Sequence, residues 1–137
     1  MKNLNNKGQS LVLFVLFVPL LLGVMALVVD LGNALVKKSE IDSVVEMVLE
    51  SELKNTYIDD STLNNIDNNT RISNIEVLLD YNLELGDYRV LVSDDVIVIK
   101  VNTYVEGIFS RVLNIRGFSV VSEYKGYLES TYIEKIK

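Results

Sequence analysis

From Leu11 to Val29 the chain carries nineteen residues without a charge, LVLFVLFVPLLLGVMALVV, and the run stops at Asp30. Wound as a helix it reaches about 28 Å, close to the thickness of a bilayer's hydrocarbon layer. Beyond Asp30 the pattern changes from continuous to periodic. Ile41, Val44, Val45, Val48, Leu49 and Glu52 to Leu53 follow the three-and-four spacing of an amphipathic helix, with Lys37, Lys38, Glu40, Glu46 and Glu50 mainly on other faces. No Pro or Gly interrupts Asn33 to Lys54. One long helix from about Gln9 to Lys54 is the simplest reading, half in lipid and half covering a small domain. Two helices joined near Asp30 to Asn33, with Gly32 as the break, is the alternative.

The rest of the chain reads differently. Residues 55–70, NTYIDDSTLNNIDNNT, are dense in residues that favour turns and predict an exposed loop, with room for one short helix. After it, Ile75, Val77, Leu79, Tyr81, Leu83 and Leu85 alternate with mainly polar positions and predict a strand. Tyr88 to Val92 is also β-prone, and VIVIKVNTYV from Val96 to Val105 is the strongest strand signal, with a tight turn at Ser93-Asp94-Asp95 between the two. Val98 and Val101 fall on opposite faces of that strand, so a sheet covered on one side buries only one of them deeply. Gly107 to Ile115 places Ile108, Phe109, Val112 and Leu113 at helical spacing, and Gly117 reopens an alternating strand through Phe118, Val120, Ser122, Tyr124 and Leu128. The expected fold class is α+β: a long N-terminal helix, then a small antiparallel sheet with a short helix. The expected divisions are a leader at 1–10, a membrane span at 11–29, an amphipathic extension at 30–54, a polar loop at 55–70 and a β domain at 71–137.

An apolar run of this length favours a permanent anchor over a cleaved signal, whose apolar region is usually about 7 to 15 residues and ends in a small-residue cleavage site. The nearest such site, Gly32-Asn33-Ala34, lies beyond the charge at Asp30. Lys2, Lys7 and the amino terminus stand on one side of the span without an acid, whereas Lys37 and Lys38 on the other are mixed with Asp30, Glu40, Asp42 and Glu46. Acids count for little in the positive-inside rule, so the bias towards a cytoplasmic N-terminus is small. The one proline, Pro19, lies inside the run, where neighbouring helices or adjusted backbone geometry absorb the lost hydrogen bond. Asp30 is either an interfacial acid that ends the span or a group that makes a specific partner contact.

Composition narrows the chemistry. The 137 residues carry a net charge of -6 with no basic stripe, which argues against a nucleic-acid partner. With no His and no Cys, a Ser-His triad, a cysteine nucleophile, a disulfide and a typical zinc site are excluded. Two adjacent acid pairs, Asp59-Asp60 and Asp94-Asp95, read as solvated turn formers rather than ligands. No Gly-rich phosphate loop is present, so neither a cofactor nor a small-molecule substrate is expected, and the chain is read as not an enzyme.

The opening KGQSLVLFVLFVPLLLGVMALVVDLGNALVKKSEIDSVVEMV resembles the N-terminal segment of the TadE/TadG-like proteins of the Tad (Flp) pilus-assembly system. The resemblance rests on Lys7, Gly8 and Gln9 before the apolar run, Pro19 within it, and Asp30 and Gly32 at its exit. The C-terminal pattern VIVIKVNTYVEGIFSRVLNIRGFSVVSEYKGYLE is also similar, with Phe109 and Leu113 in a short apolar insert between strands. The resemblance implies a pilin-like protein of the cell membrane that helps build or initiate a surface pilus, with other pilus-assembly membrane proteins or pilins as partners. It also implies a processing site in some members, between Gly8 and Gln9 here. Processed members carry Glu at the fifth position after the cut, where this chain has Leu13, an apolar side chain that cannot pair with a neighbouring amino terminus. That departure favours an uncleaved leader. The competing reading is a single-pass protein whose outer domain binds cell wall or a partner through its tyrosines, Tyr57, Tyr81, Tyr88, Tyr104, Tyr124, Tyr127 and Tyr132.

Overall fold

Uninterrupted helix-forming sequence gives an uninterrupted helix. In the computed structural model, which describes residues 6–59, 62–63, 66–83, 86–93 and 95–137, α1 runs from Asn6 to Asn55 through Pro19 and Gly32. Its 50 residues reach about 75 Å. The alternative of two helices broken at Gly32 is therefore not realised. Among the described residues this is the one helix long and apolar enough to cross a membrane, and none of its most apolar window is buried inside the protein. A core helix of a soluble protein would be covered there.

Beyond α1 come two short strands, β1 (Tyr57–Asp59) and β2 (Thr62–Leu63), paired antiparallel. They are followed by α2 (Asn68–Asn82) and by β3 (Asp87–Val92), β4 (Val96–Glu106), a 3-10 turn (Ser110–Leu113), β5 (Gly117–Tyr127) and β6 (Tyr132–Lys135). The last four strands form one antiparallel sheet in the order β3-β4-β5-β6. Ser93 and Val96 exchange backbone hydrogen bonds of 2.8 and 3.3 Å, which close the β3-β4 hairpin at the expected turn. Asp94, and likewise Asp60, lies outside the described residues.

Two expectations need correction. The alternation from Ile75 to Tyr81 belongs to a helix, not a strand; Leu83 caps it, and Leu85 lies outside the described residues. Ile75 and Leu79 satisfy both periods, and the positions that separate them decide: Val77 and Tyr81 point to water, while Arg71, Ile75 and Leu79, four apart, are buried. Asp67 supplies the start, its carboxylate accepting the Asn69 N–H at 3.2 Å. α2 is thus the second helix of the fold, and its first turn occupies the end of the polar stretch 55–70. The other correction concerns 107–115, where only four residues form a 3-10 turn. Asn114 adopts φ 61°, the left-handed region that asparagine tolerates, and ends it at once.

The core lies between one sheet face and the two helices. Ile41, Val45, Val48, Leu49 and Leu53 of α1, Ile75 and Leu79 of α2, and Ile97, Ile99 and Val101 of β4 are all buried. The α1 residues are those that the helical periodicity selects. On β5 the inward positions are Val120, Ser122, Tyr124 and Gly126. A Cβ at Gly126 would stand 3.2 Å from both the Leu49 and the Leu53 side chains, so glycine there lets α1 lie close on the sheet. Tyr88 of β3 donates to Asp80 at 2.7 Å and ties the sheet edge to α2; that hydrogen bond pushes the phenol up to about 12.

Val101 is buried under α1, whereas Val98 faces outward and is half-buried. Val101→Asp should cost about 3 kcal/mol or more, and Val98→Asp less than about 1 kcal/mol. Chemical denaturation of the two variants checks the difference; equal tolerance would contradict the observed face assignment.

Candidate functional site at the end of the apolar run

Five positions stand out in the sequence, and the structure treats them unequally. Gly8, Gln9, Pro19 and Gly32 lie along α1 facing outward, and a Cβ at Gly8 or Gly32 would meet open space. Asp30 turns inward and is only 2% exposed. Its carboxylate accepts three backbone N–H groups from the segment that leaves β4: Ile108 at 3.1 Å, Phe109 at 3.0 Å and Ser110 at 2.6 Å. Of the two readings of Asp30, the structure realises a specific contact, made within the chain rather than to a partner.

Local geometry explains why this segment suits the task. The first N–H groups of a helical turn have no acceptor within the turn, and an anion placed there satisfies them. The chain enters through Gly107, whose N–H is held by the Arg116 carbonyl at 3.0 Å. A Cβ at Gly107 would stand 1.8 Å from Ser110 Oγ and 3.1 Å from the Asp30 carboxylate, so no larger residue fits without displacing the clamp. Burial pushes the Asp30 carboxyl up, but the backbone donors, Ser110 foremost, outweigh it and hold the group below its ordinary 3.8.

Further along the same face of α1, two more acids meet the domain. Asp42 accepts Ser122 Oγ at 2.6 Å and the Lys135 ammonium, and Lys38 stands 3.7 Å away while donating to the Val121 carbonyl at 2.7 Å. Burial raises the Asp42 carboxyl; Lys135 and Ser122 lower it by more, and the net direction is down. Glu52 is fully buried against Arg71 of α2 at 3.2 Å, and Arg71 also donates to Thr56 Oγ1 at 2.7 Å. Here burial prevails over the guanidinium and pushes the Glu52 carboxyl above its ordinary value. Sequence reading included Glu52 in the buried face but missed its partner Arg71, which lies four residues before the segment misread as a strand, in the same helix. The signal for Asp30 was present too: Asp30, Ala34, Ile41 and Val45 fall four, seven and four apart, on one stripe.

These acids join structural elements rather than gather in one place. Among the described residues no group of three or more His, Cys, Asp or Glu comes together as metal ligands. The arrangement seats a helix long and apolar enough to cross a membrane on a sheet at fixed height and rotation.

Residues 8–46 match the family described as putative Flp pilus-assembly TadE/G-like. The resemblance read from the sequence is borne out over that segment, which includes the apolar run, Asp30 and Asp42. The match stops well before the second block of resemblance, around the 3-10 turn. No curated protein and no solved structure matches the chain.

Replacing Asp30 by Ala should leave the three amides without their acceptor and speed their hydrogen exchange roughly tenfold or more, with little change at Ile97 or Ile99. The pH dependence follows from the depressed values of Asp30 and Asp42. Their stabilisation is present above the unfolded value of 3.8 and is lost as pH falls through the lower folded values. The unfolding midpoint of the full chain in detergent should therefore drop on acidification below about pH 4, and less steeply in Asp30→Asn. An unchanged acid profile in that variant would remove Asp30 from the account.

Proposed function

We propose that this chain is a single-pass membrane component of a Tad-type pilus-assembly system, with a cytoplasmic N-terminus and an outer domain, acting by helix packing and domain contacts rather than by chemistry. The match over residues 8–46 carries the reading. It covers the uncovered apolar run and the part of α1 that Asp30 and Asp42 attach to the sheet, so the matched segment is both the anchor and the docking rail. In this role Gly8, Gln9, Gly32 and the exposed side chains of the span, Leu13 among them, are available to neighbouring helices, and Pro19 is the flexible point of the rod. The leader is retained, because Leu13 offers no acid to pair with a neighbour's amino terminus.

The competing reading, an outer domain that binds cell wall or another ligand, draws on Tyr81, Tyr104 and Tyr132, which are exposed. The two differ in what accompanies the protein. Purified from native membranes in mild detergent, the chain should bring with it pilus-assembly membrane proteins or pilins. Recovery with wall polymer alone would favour the competing reading. Intact mass of the recovered chain should show a start at Met1 or Lys2; a start at Gln9 would overturn leader retention and make the protein a processed pseudopilin.

Topology and anchoring are checked together. The protein should stay with membranes through an alkaline carbonate wash. Protease added outside intact protoplasts should remove residues 55–137, whereas full protection would reverse the orientation.

A further inference from the structure

Asp30 ends the apolar run in the sequence, yet the exposed apolar surface does not end there. Leu31, Leu35 and Val36 continue it along α1, and the first charges that face solvent are Lys37 and Lys38. Counted from Leu11, Asp30 stands about 28 Å along the helix and Val36 about 38 Å, which is past the hydrocarbon layer and within the headgroup layer of a bilayer. A carboxylate at that boundary is costly when bare. This one is covered by the three N–H groups of residues 108–110.

Those hydrogen bonds also fix the depth of the segment that donates them. Ile108 is 67% exposed and Phe109 46% exposed, on residues whose backbones touch Asp30. Ile115 is exposed beside them, and Arg116 is exposed one residue on. On the outer side, a cleft of about 320 Å³ between α1 and β4 is lined by Val36, Tyr104 and Val105 together with Asn33, Lys37, Glu40 and Thr103, so the surface turns polar on that flank and the apolar side chains concentrate at Ile108, Phe109 and Ile115. Large apolar side chains held open to water at the tip of a domain need an occupant. Here the span itself brings one to the same height.

We propose that the segment from Ile108 to Arg116 is a membrane-seating loop, which lays Ile108, Phe109 and Ile115 into the headgroup boundary of the leaflet that α1 leaves. The occupant is the lipid surface, not a protein. Apolar side chains enter the acyl boundary, the arginine reaches the phosphates, and the domain rests on the bilayer through its β4-β5 end. Opposite edges of the sheet make the contrast: Glu106 pairs with Gly117 beside the loop, while Val96 pairs with Tyr127 at the far end, ten strand residues or about 33 Å away. Leu91, opposite Val98, belongs to that far end and is also exposed. The proposal rests on α1 being the membrane span.

The chain has no tryptophan, so a single one reports its own surroundings. Four variants of the full chain, Phe109→Trp, Ile108→Trp, Leu91→Trp and Phe17→Trp, are reconstituted into phosphatidylcholine vesicles at high lipid excess, with and without bromine near the headgroup end of the acyl chain. Trp at 109 and at 108 should emit at shorter wavelength than Trp at 91 and lose roughly half its emission to the bromine, with Trp at 91 unaffected. Trp at 17 should be quenched by bromine placed deeper in the chain. Quenching at 17 with none at 108 and 109 would overturn the seating loop and leave the anchor standing. Short-wavelength emission at 109 without quenching would place the loop against protein, a second copy included, and overturn the lipid assignment. No quenching at 17 would overturn the anchor itself and this inference with it.

Discussion

The carboxylate of Asp30 is the point at which the long apolar run of α1 is tied to the rest of the chain. Before it α1 presents an apolar run that no other described part of the chain covers. After it the helix becomes one wall of a water-facing core. A buried carboxylate is uncomfortable without donors, and the leading N–H groups of the 3-10 turn are uncomfortable without an acceptor. Each resolves the other's problem, at 2.6 to 3.1 Å. Gly107 makes the approach sterically open. Because the donors lie on the connection between β4 and β5, the two central strands inherit their position from this contact.

Once that contact is set, the rest of α1 is held by a division of labour. The apolar stripe from Ala34 through Ile41, Val45 and Leu49 to Leu53 supplies the burial, which is non-directional and would tolerate some sliding of helix on sheet. Asp42 and Glu52 do not tolerate it. Asp42 needs Ser122 and Lys135 on two adjacent strands, and Glu52 needs Arg71 on α2. With Asp30 they form contacts 12 and 10 residues apart, about 18 and 15 Å along the helix. A pair as buried as Glu52 and Arg71 is a weak source of net stability, and its value here lies in geometry: removal of either partner would strand a charge. The result is a rod from the apolar run to the domain with one register. In the proposed pilus-assembly role this suits a component that works by position, because a displacement of the span reaches the sheet without loss in a hinge at the membrane surface.

How much of this was legible beforehand depends on how local the cause was. α1 could be read to within a few residues, since its apolar run and its three-and-four stripe are long and no breaker contradicts them. β4 and β5 were also plain, each eleven residues long, with Ile97, Ile99 and Val101 inward on β4 and Val120 and Tyr124 alternating with the small Ser122 and Gly126 on β5. α2 was misread because Ile75 and Leu79 fit period 2 and period 3.6 alike, and the tie was broken by an Asp67 cap and by packing of Arg71 against a helix nineteen residues earlier. β6 has only four residues, and its strand character comes from the β5 edge beside it.

By itself, then, the sequence determined the elements whose stability is written in their own periodicity, the apolar run long enough to cross a membrane, and the absence of His and Cys chemistry. It also carried the family likeness over residues 8–46. Tertiary structure decided which charged groups on the helix matter. Asp30 meets its donors 78 to 80 residues later, and Asp42 meets Lys135 after 93. A carboxylate has no preferred partner until the fold brings donors within about 3 Å, and nothing in the local pattern of charges encodes that encounter.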